Sequence, residues 1–249
     1  MILVDPHNAL AKQHAEALLA RVTPDDLPDD LHLVFGGDGF MLRSVHTHGY
    51  DGRYLGFNAG RVGFLLNDVH DWDATARALL EQQWTEHAFH VLKADLELED
   101  GTHVITSALN DVAIERSTGQ TAHLELTIDG ESVVDRLVAD GIIVSTALGS
   151  TAYTVSAGGS ACHPSLELLA VTPICPHRPR LAPFLLPASA GVAIRVIDGH
   201  RRPIRAVADG RTIDGVVGMR ISADPNRVRI GWLDGADFTA RMVRKILKP

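Results

Sequence analysis

DGIIVSTALGSTAYTVSAGGSACHP, residues 140–164, is the stretch from which the rest of the chain is read. Gly141 to Thr146 is apolar and β-branched, the pattern of an interior strand, and Gly149, Ser150 and Thr151 lead from it into a predicted helix start. Short hydroxyls and unobstructed backbone N–H groups at the positive end of a helix suit phosphate or ribose oxygens. An ordinary strand-to-helix connection, its glycines serving only the backbone, is the competing reading. A second loop of the same kind bears on the choice. LHLVF (Leu31 to Phe35) reads as a buried parallel strand, GGDG fills 36–39, and FMLRSVHTHG follows with apolar residues at helical spacing. Three glycines around one acid let the backbone approach a bulky anion, while Asp38 alone can accept a proton or orient a hydroxyl. Its competing role is to cap a helix beginning at Gly39 or Phe40. The loop is neither the dinucleotide fingerprint G-x-G-x-x-G nor a Walker A loop, and Asp-Gly is also a common hairpin turn.

Outward from these loops the chain divides by period. Residues 1–85 alternate strand and helix (ILVD, Asn8 to Arg21, LHLVF, the helix after GGDG, RYLGFN, WDATARALLEQ), which predicts an α/β domain with parallel strands. Residues 86–236 switch to period-2 runs separated by Asp-Gly, as in LELTIDGESVVDRL and IRAVADGRTIDGVV, which predicts an antiparallel, sandwich-like all-β domain. Residues 237–249 read as an amphipathic C-terminal helix, with Phe238, Met242 and Ile246 on one side, returning to the N-terminal domain. Both strand-to-helix loops are expected at a cleft between the two domains.

Composition narrows the classes. The chain has 249 residues, 45% of them hydrophobic, enough to bury a full core. It has two cysteines, no apolar run near the length of a membrane span, and no leader pattern before ILVD, so a cytoplasmic location without a disulfide framework is expected. Residues 175–249 hold 14 Lys/Arg against 6 Asp/Glu within a chain of net charge −8. That basic third suits a polyphosphate, an acidic subunit surface, or simply solvent. Nucleic acid is not indicated, because the basic residues lack interleaved aromatics, and no amphipathic membrane-facing stretch is present. None of the 13 histidines shows metal-ligand spacing, and His87 with His90 reads as solvent-facing.

In four places the residues resemble the NAD kinase family, a group related to diacylglycerol and sphingosine kinases and to phosphofructokinases. GGDGFML (Gly36 to Leu42) is similar to its GGDG loop, NAGRVGFL (Asn58 to Leu65) to its Asn-x-Gly-x-x-Gly-Phe-Leu stretch, and LND (Leu109 to Asp111) to its Asn-Glu pair. The segment Asp140 to Pro164 is similar to its long STPTGSTAYSLSAGG signature, and TPICPH (Thr172 to His177) with Asp209-Gly210 extends the likeness. The chain departs from the pattern at Phe40, Ala147, Leu148, Asp111 (one methylene shorter than Glu) and Arg211.

The resemblance implies phosphorylation of the 2′-hydroxyl of the adenosine ribose of NAD, using ATP or polyphosphate and a divalent cation, Mg²⁺ or Mn²⁺. It implies Asp38 as the catalytic group. Gly36, Gly37, Gly39 and Arg43 would face the donor's phosphates. Gly39, Asn58, Phe64, Leu65, Asn110, Asp111, Asp140, Thr151, Ala152, Tyr153 and Ser156 would contact NAD. Asn110 offers donors and acceptors and Asp111 acceptors, which suits ribose hydroxyls or an adenine amino group, and Tyr153 suits stacking. A homodimer or homotetramer is also implied. A lipid or sugar kinase of the same superfamily, or a non-catalytic NAD(P)-binding regulator, are the alternatives.

Overall fold

A computed structural model describes residues 1–60, 63–233, 235 and 237–247, with Lys245 and Leu247 described by backbone alone. The chain forms two compact units, Met1–Phe89 with Asn226–Pro249, and His90–Pro225. An α/β unit with parallel strands and an antiparallel β-sandwich unit make up the expected fold class.

In the first unit β1 (Ile2–Val4), β2 (Leu31–Gly36) and β3 (Arg53–Asn58) pair in parallel, and the end of the last strand (Val216–Trp232) adds parallel to β3, with Ile230 opposite Tyr54. Every residue of β2 except His32 is buried, as a strand covered on both faces requires. Parallel neighbours need crossovers, and α1 (Ala9–Leu19) and α2 (Asp38–His48) supply them. Asn8 caps α1 by accepting the Ala11 N–H, and Ala11, Ala15 and Leu18 present one buried face. Asp71 caps α3 (Trp72–Leu80) in the same way. Leu18, Leu33, Phe35, Leu55, Phe57 and Leu79 share one core cluster.

The C-terminal helix (Phe238–Met242) belongs to this unit, and its winding loosens to a π turn over Val243–Leu247. Phe238 is buried in edge contact with His87, Phe89 and Trp232 and stacks on Phe64 at 6.4 Å. Arg241, also buried, donates to the Leu66 carbonyl at 2.8 Å. Lys248 and Pro249 lie outside the described residues. His87 and His90 are not solvent-facing as their sequence suggests. They sit on β4 (Thr85–Leu98), where alternation turns His87 with Phe89 into the aromatic cluster. It turns His90 the other way, 3.3 Å from the Glu167 carboxylate.

The second unit stacks two sheets. One pairs β4 with β5 (His103–Ala108), and also contains β7 (Ala122–Ile128), β8 (Glu131–Ala139), β12 (Val192–Val196) and β15 (Val216–Trp232). The other is antiparallel throughout and comprises β6 (Asp111–Arg116), β9 (Gly141–Thr146), β10 (Leu168–Ile174), β11 (Phe184–Pro187), β13 (Ile204–Ala208) and β14 (Arg211–Asp214). Its spatial order is β11-β10-β9-β6-β13-β14. Leu92, Leu124, Leu126 and Ile194 from one sheet and Val112, Ile142, Val144 and Leu169 from the other form one apolar layer.

The Asp-Gly turns do what their chemistry allows. Asp129-Gly130 (φ 49° and 87°) closes β7 onto β8, and Asp209-Gly210 (φ 44° and 79°) closes β13 onto β14. Two successive left-handed residues are the type I′ requirement, which Asp and Gly tolerate. Asp198-Gly199 is different: it carries the chain from β12 in one sheet to β13 in the other. Among the described residues no helix is long and apolar enough to cross a membrane.

Candidate functional site

In the first unit β2 ends at Gly36 and α2 begins at Asp38, with Gly37 as its N-cap. Asp38 therefore does not cap a helix starting at Gly39 or Phe40; it is the first helical residue, and its carboxylate reaches a loop far along the chain. Oδ2 accepts the Phe64 N–H at 2.8 Å and Oδ1 the Leu65 N–H at 2.9 Å.

The glycines of the loop divide by surroundings. A Cβ on Gly36 would lie 2.9 Å from Phe40 Cβ, so this glycine is needed for packing inside the protein. Among the described residues, a Cβ on Gly37 would meet nothing within 4 Å, and one on Gly39 the Arg43 guanidinium at 3.6 Å. The backbone is thus approachable at Gly37. Arg43, one turn on and largely exposed, lies over the Phe40 ring at 5.6 Å.

Asn58 engages its side chain within its own loop: Nδ2 donates to Asp68 at 2.7 Å and Oδ1 accepts the Gly60 N–H at 2.8 Å. Gly63 (φ 58°) must be glycine here, because a Cβ would collide with the Asn58 side-chain amide. Phe64 and Leu65 are buried, and their backbone amides are what Asp38 holds. Arg61 and Val62, inside the NAGRVGFL stretch, lie outside the described residues.

In the second unit Leu109 and Asn110 link β5 to β6, and Asp111 opens β6. The Thr146 hydroxyl donates to the Leu109 carbonyl at 2.7 Å, and the Thr146 N–H to the Asn110 carbonyl at 2.9 Å. Gly149 presses on the same peptide, since a Cβ there would collide with the Asn110 carbonyl oxygen. The Asn110 side chain is half-buried, and no hydrogen bond to a described residue engages its amide. Asp111 is 8% exposed; burial first, and the Asp209 carboxylate second, push its carboxyl up to about 7.

The Ser150 and Thr151 hydroxyls make bonds within the signature loop, and Ser150 is fully buried there. Ser150 Oγ donates to the Ala147 carbonyl at 2.6 Å and accepts the Cys162 N–H at 2.7 Å, and Thr151 Oγ1 donates to the Leu148 carbonyl at 3.0 Å. Both residues lie in a 3₁₀ turn, Gly149–Thr151, and the α-helix that follows, Tyr153–Ser156, is only one turn long. So short a helix sums few peptide dipoles, so the positive helix end expected from the sequence is weak. What the loop does expose is Tyr153, 38% accessible, with its hydroxyl 3.4 Å from Glu115; burial and then Glu115 raise the phenol above its ordinary value. Ala152 and Ser156 stand beside it, the Ser156 hydroxyl donating to the Ala152 carbonyl at 3.3 Å. Thr151 is half-buried.

Asp140 is held by Arg116, whose Nε donates at 2.7 Å and whose second nitrogen lies 3.3 Å from the other carboxylate oxygen. Sequence reading missed Arg116, although the β6/β9 register carries the signal: Glu115 pairs with Gly141, which sets Arg116 opposite Asp140. It also gave Thr146 no role and left Asp209 without one.

The model of the ATP-NAD kinase C-terminal domain family matches residues 109–216. The chain is similar to the NAD kinase of Rhizorhabdus wittichii, at 41% identity over 199 residues that cover 78% of this chain and 76% of the relative. Its likeness to the NAD kinase of Cereibacter sphaeroides is 35% over 240 residues, covering 95% and 93%. In fold it is similar to the yeast NADH kinase complexed with NADH (TM-score 0.84, 22% identity, covering 99% of this chain and 85% of that one). It is similar also to an NAD kinase from Archaeoglobus fulgidus in complex with ATP (TM-score 0.80, 23% identity, covering 99% and 98%).

Proposed function

Because this chain belongs to the NAD kinase family, we propose that it transfers the terminal phosphoryl group of ATP to the 2′-hydroxyl of the adenosine ribose of NAD, with Asp38 at the acceptor hydroxyl. The NAD kinase activity rests on relatives at 35–41% identity over most of the chain. Such relatives leave no reason to favour a lipid or sugar kinase. ATP as donor draws support from the family model and from the archaeal neighbour, which holds ATP.

The observation that carries the assignment of Asp38 is its pair of backbone hydrogen bonds. Two N–H groups fix the carboxylate in one orientation, and a carboxylate held in place is suited to accepting or orienting a hydroxyl proton. We assign Gly37, Gly39 and Arg43 to the donor's phosphates, Gly37 because its open side lets oxygen approach the backbone. Gly36 and Asn58 we assign to holding their loops in shape for that contact. Asn110, Asp111, Asp140, Thr151, Ala152, Tyr153 and Ser156 are assigned to NAD, with Phe64 and Leu65 serving it through the amides that hold Asp38.

A divalent cation, Mg²⁺ or Mn²⁺, belongs to the same proposal. Among the described residues no group of three or more His, Cys, Asp or Glu stands ready to hold one. That fits an ion carried mainly by the donor's phosphates and water, as magnesium in phosphoryl transfer commonly is. A cytoplasmic location and a homodimer or homotetramer are proposed on the family's account alone.

Incubating the purified protein with NAD, ATP and Mg²⁺ should produce NADP, detected by an NADP-specific dehydrogenase. No NADP with ATP or with polyphosphate would remove the assignment. Asn110→Ala should raise the KM for NAD about tenfold or more, since buried ribose or base groups lose a partner at about 1–3 kcal/mol. A raised KM for ATP with that for NAD unchanged would move Asn110 to the donor side.

A further inference from the structure

Three successive backbone amides of the β5–β6 connection converge on one side chain. Leu109 N–H donates to Asp209 Oδ2 at 2.7 Å, and Asn110 and Asp111 N–H donate to Oδ1 at 2.9 and 3.2 Å. The Asp209 N–H in turn donates to the Asp111 carbonyl at 3.1 Å. Orienting three consecutive peptide N–H groups fixes the dihedral angles between them, and with them the direction in which the Asn110 side chain leaves the backbone. The carbonyl sides of the two peptides flanking Asn110, those of Leu109 and Asn110, are fixed by Thr146. The result is an amide side chain on a fully tethered backbone, itself engaged by no described residue.

The companion turn shows that this is not what an Asp-Gly hairpin does by default. Asp129 also occupies the first left-handed position of its turn, yet its carboxylate takes one amide, that of Gly191 at 2.7 Å. Asp209 takes three, and they are the three residues of the LND stretch. The Arg211 guanidinium, two residues on, donates to the Ser107 carbonyl just upstream, so the hairpin grips the approach to the stretch as well.

We propose that Asp209 is a positioning residue for NAD recognition: its carboxylate presents Asn110 and Asp111 to the dinucleotide without touching it. The inference rests on the assignment of Asn110 to NAD made above. Asp209→Asn keeps shape and one acceptor oxygen but turns an NH₂ toward amides that need an acceptor, so the stretch loses part of its anchorage.

The test is a double-mutant cycle in steady-state kinetics. Asp209→Asn should raise the KM for NAD about tenfold while kcat and the KM for ATP change less than about threefold. In the Asn110→Ala background the same change should raise the KM for NAD less than about threefold, because the side chain it positions is gone. Fully independent, multiplying effects would overturn the proposal, as would an equal rise in both Michaelis constants, which is what general loosening of the unit produces. If Asp209→Asn does not fold, Asp209→Glu, which keeps the charge but sets the oxygens one methylene further out, goes through the same cycle with the same expected coupling. The wild-type rate with NAD tests the functional reading separately, so the two can fail independently.

Discussion

Asp38→Asn is expected to turn over NAD more slowly than wild type by a factor on the order of 10² to 10⁴, the range that a general base contributes. An amide cannot take a proton from the ribose hydroxyl. The structure adds a second expectation. Both carboxylate oxygens hold an N–H, so the NH₂ of Asn must face either Phe64 or Leu65 as donor against donor. The loss of one such hydrogen bond costs about 1–3 kcal/mol of stability. A lower thermal midpoint should therefore accompany the lower rate, and single-turnover kinetics on the folded fraction separate the two. Near-normal turnover in that fraction would show that Asp38 ties a loop and does no chemistry.

The other large effect concerns Asp111. Its carboxyl is pushed up to about 7 in the folded chain, from an ordinary value of 3.8, by burial and then by Asp209. Above pH 4 the unfolded chain has released this proton while the folded chain still binds it, so stability falls as pH rises, until the folded form also ionises near pH 7. Below the unfolded value the penalty is absent. Across the whole window it amounts to roughly 4 kcal/mol, since each tenfold change in proton affinity is worth about 1.4 kcal/mol. Asp111→Asn removes the titration and keeps the shape. Denaturant unfolding should find that variant more stable than wild type at pH 8 by some 2–4 kcal/mol, with the gap closing toward pH 4. A difference that does not vary with pH would mean that Asp111 is ionised throughout and solvated in the fold.

The fold was legible where a local rule sufficed. LHLVF and Gly141 to Thr146 are apolar without interruption, as strands covered on both faces must be, and both form as read. Asp129-Gly130 and Asp209-Gly210 declare hairpins because few other pairs adopt two left-handed residues in a row. The site was legible as positions and not as partnerships. Nothing near Asp38 announces that its carboxylate goes to residues 64 and 65, and Asp209 lies about a hundred residues from the amides it binds. Ser150 misled for a related reason: a hydroxyl in a glycine-rich loop serves a ligand or the loop itself with equal chemical ease, and only the folded chain shows its inward bonds.

Of the three tryptophans, Trp232 is fully buried, while Trp72 and Trp84 keep some access to water. It stands in edge contact with Phe238 at 5.0 Å and with His87 at 5.8 Å. The chain thus carries an intrinsic fluorophore where its C-terminal helix meets the strand before it. Emission from an indole so shielded from water is blue relative to one in water, and it moves to the red when water reaches the ring. With Trp72 and Trp84 replaced by Phe, light alone would report whether that helix stays docked during turnover, with no label attached.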